Sequence, residues 1–201
     1  MKRTLLSWSS GKDSAWSLQL LRQQKEYDVI ALLTTFNRAA DRVAMHGVRR
    51  TLVRAQAQAA GIPLWEVDLP WPCSNQDYES AMQGSCRKAV QAGIECVAFG
   101  DLFLTEVRQY REKQLQGTGL QPVFPLWGLP TRELAQEMIA CGMRARGSPA
   151  STRNSSARIL PAVSSTRNFC RICRLPLTHA ARKESSIRSS TPVRCSGGRF
   201  R

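Results

Sequence analysis

Thr4-Leu5-Leu6-Ser7-Trp8-Ser9-Ser10-Gly11-Lys12-Asp13-Ser14 decides how the rest of the chain is read. A short apolar run meets a turn of Ser, Gly and Lys, and over residues 14–24 Ala15, Leu18, Leu20 and Leu21 recur at helical spacing. The order is strand, loop, helix. Backbone N–H groups at a helix start point into such a loop, and the helix dipole favours negative charge there. Ser9 and Ser14 add hydroxyl donors and Lys12 a compact cation, so the loop reads as a phosphate site. It is not a Gly-rich P-loop, because Gly11 alone precedes Lys12 where that motif needs two spaced glycines. A helix cap with solvated Ser and Lys is the plainer reading of the same residues.

Working outward, residues 29–35 form a continuous aliphatic and β-branched run, as expected of a strand covered on both faces. Residues 47–60 are Ala- and Gln-rich and read as a helix, which Gly61-Ile62-Pro63 ends before the apolar run 64–69. Ser74-Asn75 can cap a helix running to about Ala92, Gly93 can close it, and residues 95–99 are a fourth strand ending at Gly100-Asp101. Residues 106–115 read as helix, 123–127 as a fifth strand, and 131–141 as a helix that Thr131 caps and Gly142 ends. Strands alternating with helices predict right-handed crossovers, hence an α/β class with a doubly wound, Rossmann-like, parallel five-stranded sheet. Ligands in such sheets bind beyond the carboxyl ends of the strands.

The 201 residues are 42% hydrophobic and 22% charged, the profile of a globular domain. No apolar run approaches the ~20 residues of a membrane helix. Met1 to Trp8 carries two basic residues but no apolar segment of signal-peptide length, so a cytoplasmic location with no membrane partner is expected. The net charge of +14 is unevenly placed: residues 1–146 hold 18 Lys+Arg against 14 Asp+Glu, and residues 147–201 hold 11 against 1. All five Trp lie before position 128, and the tail is Ser/Arg-rich. Two units are therefore expected, an α/β domain over 1–146 and an irregular or disordered basic tail over 147–201.

The strand followed by Ser-Ser-Gly-Lys-Asp-Ser resembles the PP-loop of the adenine nucleotide alpha-hydrolase superfamily, usually Ser-Gly-Gly-x-Asp-Ser. Ser10 stands where that motif has its first glycine. His46-Gly47-Val48-Arg49, Phe99-Gly100-Asp101, Arg108, Arg111-Glu112 and Phe124-Pro125-Leu126-Trp127 add a similarity to the diphthine–ammonia ligase family over about residues 1–146. The resemblance implies ATP cleaved between the α and β phosphates, Mg²⁺ as cofactor, ammonia as nucleophile, and a protein acceptor such as a translation elongation factor. It implies that Ser9, Ser10, Gly11, Lys12 and Ser14 hold phosphates, that Asp13 holds Mg²⁺ or orients the loop, and that Thr34 and Thr35 face the adenine. His46, Gly47 and Gly100 join the nucleotide site, and Lys12, Asp13, Asp101, Arg108, Arg111 and Glu112 the catalytic group.

Plainer readings stand beside these. His46 can cap the helix from Gly47, Asp101 can cap the next helix, and Arg108, Arg111 and Glu112 can form a solvated ion-paired face. Trp127 can be core or crevice wall. Cys170-Arg171-Ile172-Cys173, with only His179 and Cys195 nearby, lacks zinc spacing, and the basic tail alone gives nucleic acid no basis for specificity. Two other functions share the loop: a PP-loop RNA-modifying enzyme, and a nucleotide-sensing RNA-binding protein. Shifted by one base, residues 177–193 permit Gly-Glu-Lys-Gly-Glu-Phe-His-Thr, which resembles a segment the ligase family carries near its C-terminal end. A frameshift near Arg146-Gly147 would thus explain the charge jump, the missing Trp and the missing motif together.

Overall fold

A computed structural model describes residues 1–145. The tail readings, including the Cys170–Cys173 pair and the frameshift, lie outside the described residues. Strand β1 (Lys2–Ser7) buries Thr4, Leu5 and Leu6 in succession, and β2 (Tyr27–Asn37) buries the run Ala31 to Thr34. Consecutive burial means that both faces are covered. Between them runs α1 (Lys12–Gln24). After β3 (Arg42–Val43) come α2 (Arg50–Ala60) and β4 (Leu64–Leu69). The chain continues through α3 (Asn75–Gln91), β5 (Cys96–Ala98), α4 (Thr105–Leu115), β6 (Gln121–Val123) and α5 (Thr131–Ala140). Ser74 caps α3 in a capping box: its hydroxyl accepts from Asp77 N at 3.1 Å and the Asp77 carboxylate accepts from Ser74 N at 3.1 Å.

The parallel pairings are β1 with β2 and β5, β2 with β4, and β5 with β6. The parallel order is therefore β4-β2-β1-β5-β6, the doubly wound pattern whose winding reverses between β1 and β5. The sheet has six strands, one more than expected. The addition, β3, pairs antiparallel with β2 at Phe36 and Asn37, and two residues are too few to show a period. At those residues β4 holds the opposite edge of β2, so β3 continues the edge that β1 occupies further back. The segment after β2 thus folds back beyond the carboxyl end of β1.

Three boundaries differ from expectation for local reasons. The fifth parallel strand is 121–123, not 123–127: Pro125 has no N–H for a ladder, and residues 124–127 turn, with Trp127 N donating to Phe124 O at 3.2 Å. Helix α2 starts at Arg50, not Gly47, because Val43 N donates to Val48 O at 2.8 Å and Gly47, at φ 62°, forms the turn. Pro130, not Thr131, occupies the cap position of α5.

Leu6, Trp8, Leu18, Leu32, Phe36, Val53 and Ala57 pack α1 and α2 onto one face of the sheet. On the other face Leu5, Leu33, Met82, Ala89, Val97 and Leu115 seat α3 and α4. Trp16, Leu20, Leu126, Leu134 and Met138 fasten α5 against α1. Among the described residues no helix is long and apolar enough to cross a membrane.

Candidate functional site

The loop between β1 and α1 is built from short hydrogen bonds. Gly11 N donates to Ser9 Oγ at 3.3 Å, Ser9 Oγ donates to Ser14 Oγ at 3.2 Å, and Ser14 Oγ donates to Gly11 O at 3.0 Å. Gly11 occupies the cap position of α1 with no side chain to satisfy the first turn, which leaves those N–H groups to a ligand or water. Its φ of −92° is ordinary, and a Cβ there would meet Ser9 Oγ at 3.3 Å, close enough to press on that hydroxyl, and His46 Nε2 at 3.9 Å, an ordinary contact. Lys12 Nζ lies 2.6 Å from Asp13 Oδ1 on the exposed rim. Ser10 has a positive φ of 67°.

Gly100, at the carboxyl end of β5, closes the other wall. A Cβ on it would stand 3.2 Å from Asp13 C, Ser14 N and Ser17 Oγ. The adjoining Asp101 lies 3.9 Å from Arg111 Nε, and neither Asp101 Oδ2 nor Arg111 Nε, both buried, has a hydrogen-bond partner. Burial pushes the Asp101 carboxyl above its usual range, and Arg111 pulls it back. Arg111 also donates to Tyr78 Oη at 3.1 Å and lies over Phe99 at 5.1 Å. Arg108 lies over Phe124 at 4.9 Å and Trp127 at 4.8 Å, and its Nε donates to Glu112 Oε1 at 2.7 Å.

An acid whose folded pKa is raised binds extra protons when folded, so its contribution to stability falls as pH rises through the carboxylate range. Arg111→Met removes the one pull in the opposite direction. It is expected to cost about 1–2 kcal/mol near neutral pH and distinctly less near pH 4, with Asp101→Asn recovering the difference. Urea unfolding at both pH values measures this, and equal costs would show that the Asp101 carboxylate does not feel Arg111.

The structure therefore brings Ser9, Ser10, Gly11, Lys12, Asp13, Ser14, His46 and Gly100 together at the winding reversal. Asp101, Arg108, Arg111 and Glu112 lie on the β5 side, where Trp127 is crevice wall stacked on Arg108. Several readings need correction. Thr34 does not face the crevice: it is 1% exposed and its hydroxyl donates to Trp8 O at 2.7 Å, beneath the loop. Thr35 points to the opposite face of β2, and its carbonyl accepts from Ala44 N at 3.1 Å. His46 is no helix cap, since Arg49 holds that position, and Gly47 contributes a turn whose carbonyl accepts from Arg42 Nη1 at 2.8 Å. Asp101 is no cap either, because Leu104 precedes α4. Sequence reasoning missed Gln56 of α2, whose Oε1 accepts from Trp8 Nε1 at 3.0 Å and Ser10 Oγ at 2.7 Å. The one signal for it was the serine at a glycine position in the loop.

A doubly wound parallel sheet with an uncapped helix start at its winding reversal defines a nucleotide-binding α/β domain. Residues 1–122 match the family model described as the diphthamide synthase N-terminal domain, and the chain belongs to that family. The family is of the PP-loop type and uses ATP. No curated protein matches the chain.

Proposed function

We propose that residues 1–146 form the ATP site of an adenylate-forming amide ligase, cytoplasmic, that activates a carboxylate on a protein acceptor and passes it to ammonia. The observation that carries this reading is the α1 start, where Gly11 offers no side-chain cap, the Ser9 and Ser14 hydroxyls meet, and Lys12 is the first residue of the helix. In this reading Ser9, Ser10, Gly11, Lys12 and Ser14 hold the β and γ phosphates, and His46 and Gly47 flank the nucleotide across Gly11. Mg²⁺, when bound with ATP, would neutralise charge building on the departing pyrophosphate. Among the described residues no group of three His, Cys, Asp or Glu side chains is placed to hold a metal ion. That fits an ion held mainly by phosphate oxygens and water, with Asp13 the protein's contribution. Asp101, Arg108, Arg111 and Glu112 would orient the acceptor carboxylate and the incoming amine on the β5 side.

A frameshift after Arg146 would leave this half without the segment that completes the acceptor site. The full chain with MgATP, ammonium and a carboxylate-bearing acceptor such as a translation elongation factor is then expected to bind ATP but to form no amide, and the frame-restored chain to convert the acceptor carboxylate to an amide with release of AMP and pyrophosphate. Lys12→Ala should weaken ATP binding by about tenfold, the loss of one charge-assisted contact. Absence of ATP binding by the wild-type chain would overturn the nucleotide reading. Amide formation by the chain as it stands would overturn the frameshift.

A further inference from the structure

Ser10 is a non-glycine residue at φ 67°, in the middle of the phosphate-binding loop. A side chain there is strained, and such a conformation persists only where the surroundings over-determine it. One residue supplies that support. Gln56 Oε1 accepts from Ser10 Oγ at 2.7 Å and from Trp8 Nε1 at 3.0 Å, while Gln56 Nε2 faces Ser10 O at 3.5 Å. The amide group is thus oriented by donors on one side and a carbonyl on the other, and it grips the loop residue by side chain and backbone at once. Trp8 is 1% exposed and its carbonyl is held by Thr34, so the far end of the clamp is anchored in the core. Helix α2, which carries Gln56, also bears Val53 and Ala57 in that core.

We infer that Gln56 is a positioning residue for the phosphate loop: with the Ser10 hydroxyl it holds, at a serine, the positive-φ bend that a glycine adopts unaided. The hydrogen bonds of Gln56 run to Ser10 and Trp8. It acts by fixing where the N–H groups of Gly11, Lys12 and Asp13 point. The inference rests on the proposed ATP site for its functional consequence, and on the loop geometry alone for its physical content.

The test is a double-mutant cycle in the full chain, read by amide hydrogen exchange of the peptide spanning residues 9–13 without nucleotide, and separately by ATP titration. Gln56→Leu is expected to speed loop exchange about tenfold, the scale set by a strained non-glycine bend, and to weaken ATP binding by a similar factor. In the Ser10→Gly background the same change should alter either quantity by no more than about twofold, because glycine needs no clamp. Gln56→Ala, which keeps a good helix former on α2, should behave as Gln56→Leu does and guards against a packing artefact. A simple anchor for Trp8 would predict the same loss in both backgrounds, and that result overturns the inference. Unchanged exchange in Gln56→Leu overturns it too. If the wild-type chain binds no ATP, the proposed function falls while the exchange cycle still decides the clamp.

Discussion

Arg50→Met is expected to lower the unfolding free energy by about 3 kcal/mol near neutral pH. The Arg50 guanidinium contacts Asp41 Oδ1 at 2.6 Å, Glu66 Oε2 at 2.8 Å and Asp68 Oδ1 at 2.5 Å, and its side chain is only 11% exposed. It also lies over Phe36 at 4.1 Å. The network ties the start of α2 to β4 and to the segment leading into β3, so it fixes the turn that carries His46. Burial works against the Arg50 charge, but the hydrogen bonds to Asp68, Glu66 and Asp41 outweigh it and raise its pKa. Asp68 makes the largest favourable contribution to the Arg50 charge, but Asp41 and Asp68 are 65% and 50% exposed against 24% for Glu66, so the pair with Glu66 loses least to solvent screening. Methionine leaves three carboxylates facing one another with the guanidinium gone and only the exposed Arg54 still on Glu66.

The same network sets an acid limit. Arg54 first, and Arg50 after it, hold the Glu66 carboxyl at about 2 against an ordinary 4.5, with burial opposing. A depressed acid stabilises the fold above its unfolded pKa and loses that contribution as pH falls through the folded value. The full span corresponds to roughly 3 kcal/mol, released between about pH 4.5 and 2. Arg50→Met should lose less over that span, so its urea-unfolding curve should converge on that of the wild type as the solution is acidified. A gap under about 1 kcal/mol near pH 7, or one that stays constant on acidification, would show that the pairs are solvated ornaments of the surface.

How much of this was legible in the sequence depended on the range of the determining contact. Residues 64–69 were read as a strand with the bounds that the structure gives, because both ends carry local signals, Pro63 before and Pro70 after. Ser74 was legible as a cap because its partner lies three residues on. β3 was not, since a two-residue strand is fixed by the edge of β2 and not by its own pattern. Thr34 and Thr35 could not be told apart in a run buried on both faces, where no polar alternation marks which side the crevice is on. Gln56 lies 46 residues from Ser10, and only the β1-α1-β2-β3-α2 winding brings them together. The loop's place was legible from local pattern, while its support was a product of topology.

Gly100→Val is expected to cost about 3 kcal/mol of stability and to weaken ATP binding by at least tenfold, with Gly100→Ala intermediate. Gly100 has no positive φ, so conformation does not require a glycine there; space does. A Cβ would stand 3.2 Å from Asp13 C and 3.2 Å from Ser14 N, both backbone atoms of the first turn of α1, and 3.2 Å from Ser17 Oγ. A flexible side-chain end could swing away, but a helix start cannot yield without carrying the loop with it. The serine hydroxyl is no freer, since Ser17 Oγ donates to Asp13 O at 2.9 Å. Any relief therefore moves the N–H groups that the phosphates would meet, and stability and binding should fall together. Gly93→Ala separates the two effects. Gly93 has φ 71° with nothing within 4 Å of a Cβ, so alanine there should cost about 1 kcal/mol of backbone strain and leave ATP binding alone. Urea unfolding and ATP titration of the three variants give the comparison. A Gly100→Val chain that is destabilised yet binds ATP normally would mean that β5 and α1 can part without disturbing the loop, and the crevice would then have to be drawn without Gly100 as its wall.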